Sequence, residues 1–308
     1  MKFSLIIPTK DRLSVLHKTI RALSQVINIT DIDVLIINDS DKNISLQIED
    51  FPTNLQVYKS PGKGVATARN FGASKAATDW LVFMDDDMLV QPETFLKLIP
   101  ICNSNLNICL NTNWIYPETL LNLAERNPFV RYLKKHRFNS MEGWDKDPNW
   151  DHEKVFLVYR INSAFLLIHK NAFYKVNGYD EIFPFAGFED HDFSERLKKS
   201  GVDMFVDPNN VIFHNEEDKI KLENWLERQR RGATTRKIAL SKGYSHLSIK
   251  FSMSKKIVNK IVYASRHYLL NILNQWPQQK SLDVVYFFIV NRLLAAYSYA
   301  GYIQDETN

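Results

Sequence analysis

Two clusters of carboxylates are the residues of this chain best suited to chemistry. Asp85-Asp86-Asp87 ends an apolar run, Trp80–Met84, and Glu189-Asp190-His191-Asp192 forms a second cluster further along. Three carboxylates at the tip of a buried strand repel one another and resist desolvation, so holding them there needs a compensating charge. A divalent cation is the usual one: Mg2+ and Mn2+ favour carboxylate oxygens and bind through one or two of them plus substrate phosphates. An acidic, solvated loop is the other reading of an isolated triplet. The second cluster opens a predicted helix, Asp190–Ser200, where carboxylates suit the positive end of the dipole. An ordinary acidic helix start would look the same, but Gly187-Phe188 before it lets backbone approach a cleft closely, and Asp192 and Arg196 are spaced i, i+4 for an internal pair.

The elements that must carry these clusters alternate between strand and helix. Lys2–Ile7 reads as an apolar strand, and Arg12–Ile27 as a helix with Leu13, Leu16, Ile20, Leu23 and Ile27 on one stripe. Asp33–Ile37 is a second strand, running into the turn-rich Asn38-Asp39-Ser40-Asp41. Leu55–Tyr58 is a third, Pro61-Gly62-Lys63-Gly64 opens a helix over Val65–Lys75, and Trp80–Met84 is a fourth strand. That order predicts a mostly parallel sheet with helices on both faces, an α/β fold. Ligands of such sheets bind at the carboxyl ends of the strands. Pro8-Thr9, Asp39, Gly62–Gly64 and Asp85–Asp87 all fall at those ends and converge on one cleft.

With these pieces in place, the chain resembles the family 2 glycosyltransferases of GT-A fold, a Rossmann-like architecture. The elements that carry the resemblance are Leu5-Ile-Ile-Pro-Thr9, Ile36-Ile-Asn-Asp39-Ser, Gly64-Val-Ala-Thr-Ala-Arg69-Asn70-Phe-Gly72 and Phe83-Met-Asp85-Asp-Asp87. Asn177-Gly-Tyr-Asp-Glu181 and Gly187-Phe-Glu189-Asp190-His-Asp192-Phe-Ser-Glu-Arg196-Leu complete it. Together they cover roughly Lys2 to His214. One departure is Asn38, where the family often carries a first Asp; the second, Asp39, is retained.

The resemblance implies an inverting, metal-dependent transfer from a nucleotide-diphosphate sugar, a UDP-sugar above others. Pro8, Thr9 and Asp39 would contact the nucleoside, and an Asp suits a base N–H or a ribose hydroxyl. Arg69 would steady the diphosphate with a charge-assisted fork, and Asp86 belongs to the same donor-binding set. Asp85 and Asp87 form the DxD pair, with Asp87 a direct ligand of Mn2+ or Mg2+ and Asp85 nearer the ribose or a metal-bound water. His214 would complete the metal shell, although a lone His is more often structural. Asp190 is the expected general base, with Glu189 orienting the acceptor or donor sugar.

Composition narrows the remaining choices. The chain has 308 residues, 45% hydrophobic and 24% charged, enough for one large α/β domain and an appendage. Cys102 and Cys109 are too few for a disulfide framework and read as buried thiols of a reducing compartment. The first residues read as a strand closed by Pro8, not as a signal peptide, which points to the cytoplasm. A dehydrogenase is excluded, because no Gly-x-Gly-x-x-Gly follows the first strand.

The charge is uneven despite a formal net of +4. From Arg228 to His267 there are eleven Lys or Arg and no Asp or Glu, a field that attracts anions. Nucleic acid is not the expected partner, because the cleft is full of carboxylates. Residues 140–160 read as a surface loop whose Trp144 and Trp150 could stack on sugars. Helices are predicted over Trp225–Leu240, Ser254–Asn274 and Leu282–Ile303, the last nearly apolar but interrupted by Asn291 and Arg292. A charge mid-bilayer is costly, so these read as packed or interfacial helices and not as a span. The expected division is a GT-A catalytic domain over 1–218 and a basic amphipathic helical region over 219–308. That tail fits peripheral attachment to the anionic inner face of the plasma membrane, near a glycan or lipid-linked acceptor of cell-surface polysaccharide synthesis. A region that only covers the core or forms a homodimer is the other reading of the tail. A nucleotide-sugar-binding scaffold without turnover is the other reading of the whole.

Overall fold

The computed structural model describes residues 2–26, 29–44, 46, 55–104, 106–218 and 220–303. The chain forms two compact units. The first comprises Met1–Tyr116, Ser140–Pro184 and Glu189–Asn215; the second comprises Pro117–Asn139, Phe185–Phe188 and Glu216–Asn308.

The strands are β1 (Phe3–Thr9), β2 (Ile32–Asn38), β3 (Leu55–Lys59), β4 (Trp80–Met84), β5 (Met88–Leu89), β6 (Ile108–Ile115), β7 (Phe156–Leu157), β8 (Phe165–His169) and β9 (Asp203–His214). Helices of eight residues or more, among the described residues, are α1 (Leu13–Leu23), α2 (Val65–Lys75), α3 (Pro128–Lys135), α4 (Glu189–Lys199), α5 (Leu222–Ser241), α6 (Met253–Ala264), α7 (Arg266–Asn274) and α8 (Asp283–Ile303).

Among the described residues, all nine strands belong to one sheet of the first unit, ordered β3-β2-β1-β4-β8-β6-β9-β5, with β7 on β9. The β3-β2-β1-β4 half is parallel throughout, whereas β8 runs antiparallel to both β4 and β6. Every residue of β1 and β4 is buried, which is why both read as continuous apolar runs and not as alternations. At the sheet edge, β3 leaves Val57 exposed. In α1 the buried face is Val15, Leu16, Thr19, Ile20 and Leu23. Leu13 of the expected stripe is exposed, and Ile27 lies outside the described residues. α2 lies close on the sheet because Gly72 has no side chain: a Cβ there would sit 2.3 Å from Ile6 Cγ2.

β9 runs for 12 residues. Its pairing with β6 shifts register between Thr112 and Asn113, opposite the segment that holds Pro208. A proline cannot donate to the ladder, and the irregularity accommodates it. Past this point the strand continues to His214, which pairs with Met88 of β5. Residues 140–160 hold a short helix, Met141–Asp145, as well as β7, and the Trp150 ring packs 5.1 Å from Phe156.

The helical unit has its own aromatic core. Tyr132 and Phe129 of α3 pack against Trp225 of α5, and Tyr132 also meets Phe287 of α8. Asn127 caps α3 by accepting from the Phe129 and Val130 amides, with Pro128 at the first helical position. The expected helix over Ser254–Asn274 is broken at Ser265 into α6 and α7. Lys280–Ile303, with mean hydropathy 1.3, is long and apolar enough to cross a membrane by length and composition. A packed core helix passes the same test. Here α8 buries Tyr286, Phe287, Val290, Leu293 and Ala296, and Asn291 accepts from the Tyr132 hydroxyl at 2.8 Å.

Candidate active site

The ends of β1, β2 and β4 bring the first group of expected residues together. The Asp39 amide donates to the Thr9 carbonyl at 2.8 Å, continuing the β1–β2 ladder by one step. Pro8 lies in register with Ile37 inside that ladder. Asp39 Oδ2 accepts from the Gly64 amide and from Lys10 Nζ, both at 3.2 Å. Gly64 has φ +108°, a conformation an L-residue rarely adopts, and it is what turns that amide into the start of α2. Asp39 Oδ1 is buried without a hydrogen-bond partner, a ready acceptor for a ligand N–H or O–H. Asn38, the departure from the family pattern, forms a turn with both ends of its amide: Oδ1 accepts from the Ser40 amide and Nδ2 donates to the Lys42 carbonyl. An Asp could make only the first of these bonds.

The acidic triplet splits three ways. Asp86 is buried and committed to the protein: Thr9 Oγ1 donates to its Oδ2 at 2.6 Å and Arg12 pairs with its Oδ1. Arg12 reaches Asp87 Oδ2 as well, at 2.9 Å. Asp87 Oδ1 stands 3.3 Å from His214 Nε2, because the β5–β9 pairing sets Met88 opposite His214. The His214 ring is held edge-on by Trp114 and Tyr116. Asp85 is the most exposed of the three, its side chain 36% accessible, and its Oδ1 accepts from Arg69 at 3.0 Å. A carboxylate oxygen and an imidazole nitrogen converging at 3.3 Å are donors that suit Mn2+. Asp87 and His214 therefore fit the metal, whereas Asp85, expected as a further ligand, is engaged with Arg69.

Arg69 joins the two acidic clusters. Its guanidinium lies 3.1 Å from Glu189 Oε1, 3.0 Å from Asp85 Oδ1 and 3.9 Å from Asp190 Oδ1, and sits over the Tyr179 ring at 5.2 Å. Burial opposes its charge, but Asp85, Asp190 and Glu189 outweigh burial and hold it protonated. Asp190, at the start of α4, accepts from Ser163 twice: the hydroxyl donates to Oδ1 and the amide to Oδ2 at 3.1 Å. Burial pushes its carboxyl above the ordinary aspartate range, against the pull of Arg69 and the Ser163 bonds. Ser163 Oγ is also 2.6 Å from the Tyr179 hydroxyl. Burial holds that phenol well above its ordinary range, so Tyr179 stays protonated and is the donor in the chain Tyr179, Ser163, Asp190.

Several of these residues escaped the sequence reading. Arg12, Ser163 and Tyr179 were not singled out, although Arg12 stands three residues past the end of Leu5-Ile-Ile-Pro-Thr9 and Tyr179 lies inside Asn177-Gly-Tyr-Asp-Glu181. Asn70 explains why that segment lies against α2. Its side chain brackets Tyr179 by accepting from the amide and donating to the carbonyl, and it donates to Glu181 too. Nothing in the sequence around Ser163 marks it. It is placed by Asn111 of β6, which binds the backbone of Asn162 and Phe165 on either side. The expected Asp192–Arg196 pair forms at 2.8 Å, and Arg196 also donates to the Gly178 carbonyl, fixing α4 to the same segment.

Comparisons with known proteins bear on the family and the fold. An uncharacterized glycosyltransferase of Haemophilus influenzae is 25% identical over 197 residues, 63% of this chain and 61% of that protein. A pre-mycofactocin glycosyltransferase of Mycobacterium tuberculosis is 24% identical over 231 residues, 73% of this chain and 45% of that protein. The chain thus spans between about half and three fifths of the length of these relatives. The fold is similar to that of the mannosyltransferase PcManGT from Pyrobaculum calidifontis in complex with GDP-Man and Mn2+, with TM-score 0.56 and 10% identity over 99% of this chain and 88% of that one. It is similar also to S. aureus TarS 1-349 in complex with UDP-GlcNAc, with TM-score 0.53 and 13% identity over 98% of this chain and 90% of that one. The description "Glycosyltransferase like family 2" matches residues 4–268, most of the chain, and the protein belongs to that family, on a GT-A fold.

Proposed function

We propose that the protein is a metal-dependent inverting glycosyltransferase that moves a hexosyl or N-acetylhexosaminyl group from a nucleotide-diphosphate sugar to a hydroxyl of a glycan or lipid-linked acceptor. The observation that carries this reading is the convergence of two unlike carboxylate sites through Arg69. Arg69 ties Asp85 to Glu189 and Asp190, and Asp87, two residues on from Asp85, stands against His214. Asp39, with one buried acceptor unused, Thr9 and Pro8 would hold the nucleoside. UDP is favoured because UDP-GlcNAc and UDP are bound in solved proteins of similar fold, although another holds GDP-Man. Cell-surface polysaccharide synthesis is the favoured context, since chondroitin synthase of Escherichia coli is among the relatives, at 23% identity over 64% of this chain.

In the proposed reaction Asp190 takes the proton of the acceptor hydroxyl. The acceptor oxygen forms a bond to the anomeric carbon as the bond from that carbon to the phosphate oxygen breaks, inverting the centre and releasing the nucleoside diphosphate. Asp87 and His214 would hold Mn2+ or Mg2+, which when bound neutralises charge on the leaving diphosphate. Arg69 keeps Asp85 and Glu189 in place and adds a fixed positive charge between the sites. The upward-shifted Asp190 is the stronger base for it.

The test is a panel of UDP- and GDP-sugars with Mn2+, read both as thermal stabilisation and as nucleoside diphosphate release. One donor should stabilise the protein and be turned over, and Asp190→Asn should keep the stabilisation while release falls on the order of 10²–10⁴-fold. Stabilisation without turnover under any acceptor condition would favour the scaffold reading.

A further inference from the structure

Among the described residues the structure divides the basic block into two populations. The arginines of α5 are internally matched: Arg228 pairs with Glu216, Arg230 and Arg231 with Glu227, and Arg236 donates to the Leu247 carbonyl. The lysines around α6 are different. Lys250, Lys255, Lys256 and Lys260 are exposed and form no ion pair among the described residues. No Asp or Glu occurs between Arg228 and Leu282 to match them.

These lysines border an apolar face that none of the described residues of the helical unit covers. On α6, Met253 is 73% exposed, Ile257 53%, Val258 45% and Ile261 62%, while the one buried residue is Asn259. At 3.6 residues per turn, Met253, Ile257, Val258 and Ile261 share one arc, with Lys256 and Lys260 along its edge. Asn259 falls on the opposite side, and Tyr263 packs its ring 5.2 Å from Tyr297 of α8. The helix thus turns a polar side chain inward and its aliphatic side chains to solvent, the reverse of a core-packing helix.

We infer that α6 is a docking face for an anionic lipid surface, with Met253, Ile257, Val258 and Ile261 entering the acyl boundary and Lys255, Lys256 and Lys260 at the headgroups. An apolar arc edged by unmatched cations is the pattern of a helix lying in the membrane plane. A second copy of the chain is a poor occupant, since an antiparallel symmetric pairing of this arc would set the lysine edges of the two copies against each other. Nucleic acid would engage the lysines but leave four aliphatic side chains in water. This inference rests on the helical unit alone and stands or falls separately from the transferase chemistry.

The experiment is flotation of the full chain with phosphatidylcholine vesicles and with vesicles containing one quarter phosphatidylglycerol, across a salt series. Wild type should bind the anionic vesicles, weakly or not at all the neutral ones, and release as salt rises. Ile257→Asp with Ile261→Asp, and separately Lys256→Gln with Lys260→Gln, should each lower binding about tenfold or more with unchanged thermal unfolding. Ile261→Trp should show a blue-shifted emission quenched by brominated lipid chains. Absence of binding, equal binding to both vesicle types, variants that bind as wild type, or a tryptophan that stays water-exposed would each overturn the inference. So would a dimer in sedimentation that Ile257→Asp dissolves without vesicles, or capture of an oligonucleotide with the affinity shown for lipid.

Discussion

Ser163 grips Asp190 at both oxygens, the hydroxyl on Oδ1 and the amide on Oδ2, while its own oxygen lies 2.6 Å from the Tyr179 hydroxyl. The proposed base is therefore held in one orientation by a residue from a loop, backed by a phenol that cannot ionise at working pH. Two donors to the carboxylate favour its charged form, and burial opposes them.

Removing the hydroxyl should expose that balance. In Ser163→Ala the carboxylate loses a donor, so its pKa rises further and the acidic limb of the pH–rate profile moves to higher pH. Turnover below the new limb should drop, donor affinity should hold, and Ser163→Thr should restore much of the rate. A profile that does not move would show that the hydroxyl leaves the reacting proton untouched.

Asp87→Ala should abolish Mn2+-dependent stabilisation by the donor. Asp87 contributes a buried carboxylate oxygen beside His214, whereas Asp86 is held by Thr9 and Arg12 and Asp85 by Arg69. Undiminished Mn2+-dependent binding in the folded variant would remove Asp87 from the metal.

Arg12 supplies the positive charge that Asp86 and Asp87 share in this structure. Taking one partner from a buried pair costs about 3–5 kcal/mol, and the partial exposure of Arg12 places Arg12→Ala near or below the lower end. Mn2+ with UDP should recover more of the melting temperature in Arg12→Ala than it adds to wild type, because the cation then meets uncompensated carboxylates. Equal increments in both proteins would count against Arg12 as the counter-charge of the site.

Gly72→Ala should destabilise the first unit by about 1–3 kcal/mol, the usual cost of overpacking, measured by urea unfolding. The added Cβ would lie 2.3 Å from Ile6 Cγ2 and 3.1 Å from Ile37 Cγ1, side chains buried in the central strands. An unchanged midpoint would mean that α2 can lift from the sheet at little cost.

Much of the fold was legible because its signals are local. β1 and β4 announce themselves as apolar runs, and a run of that length ending in Asp85–Asp87 can only deliver the carboxylates to a strand end. Pro61-Gly62-Lys63-Gly64 marks the turn into α2 in the sequence itself, whereas the close approach at Gly72 is a product of packing. The tertiary structure decided what depends on long-range pairing. His214 meets Asp87 because a two-residue strand, β5, pairs with the end of β9, a register no local pattern encodes. Asn111 of β6 places Ser163, and Asn70 places Tyr179, through hydrogen bonds across 51 to 109 positions of chain. No sequence signal placed Pro117–Asn139 with α5 and α8; the packing of Phe129 and Tyr132 on Trp225 and Phe287 did. The sequence showed that α6 is amphipathic but not which side is covered. Periodicity defines a face, and only its neighbours decide whether that face meets protein or water.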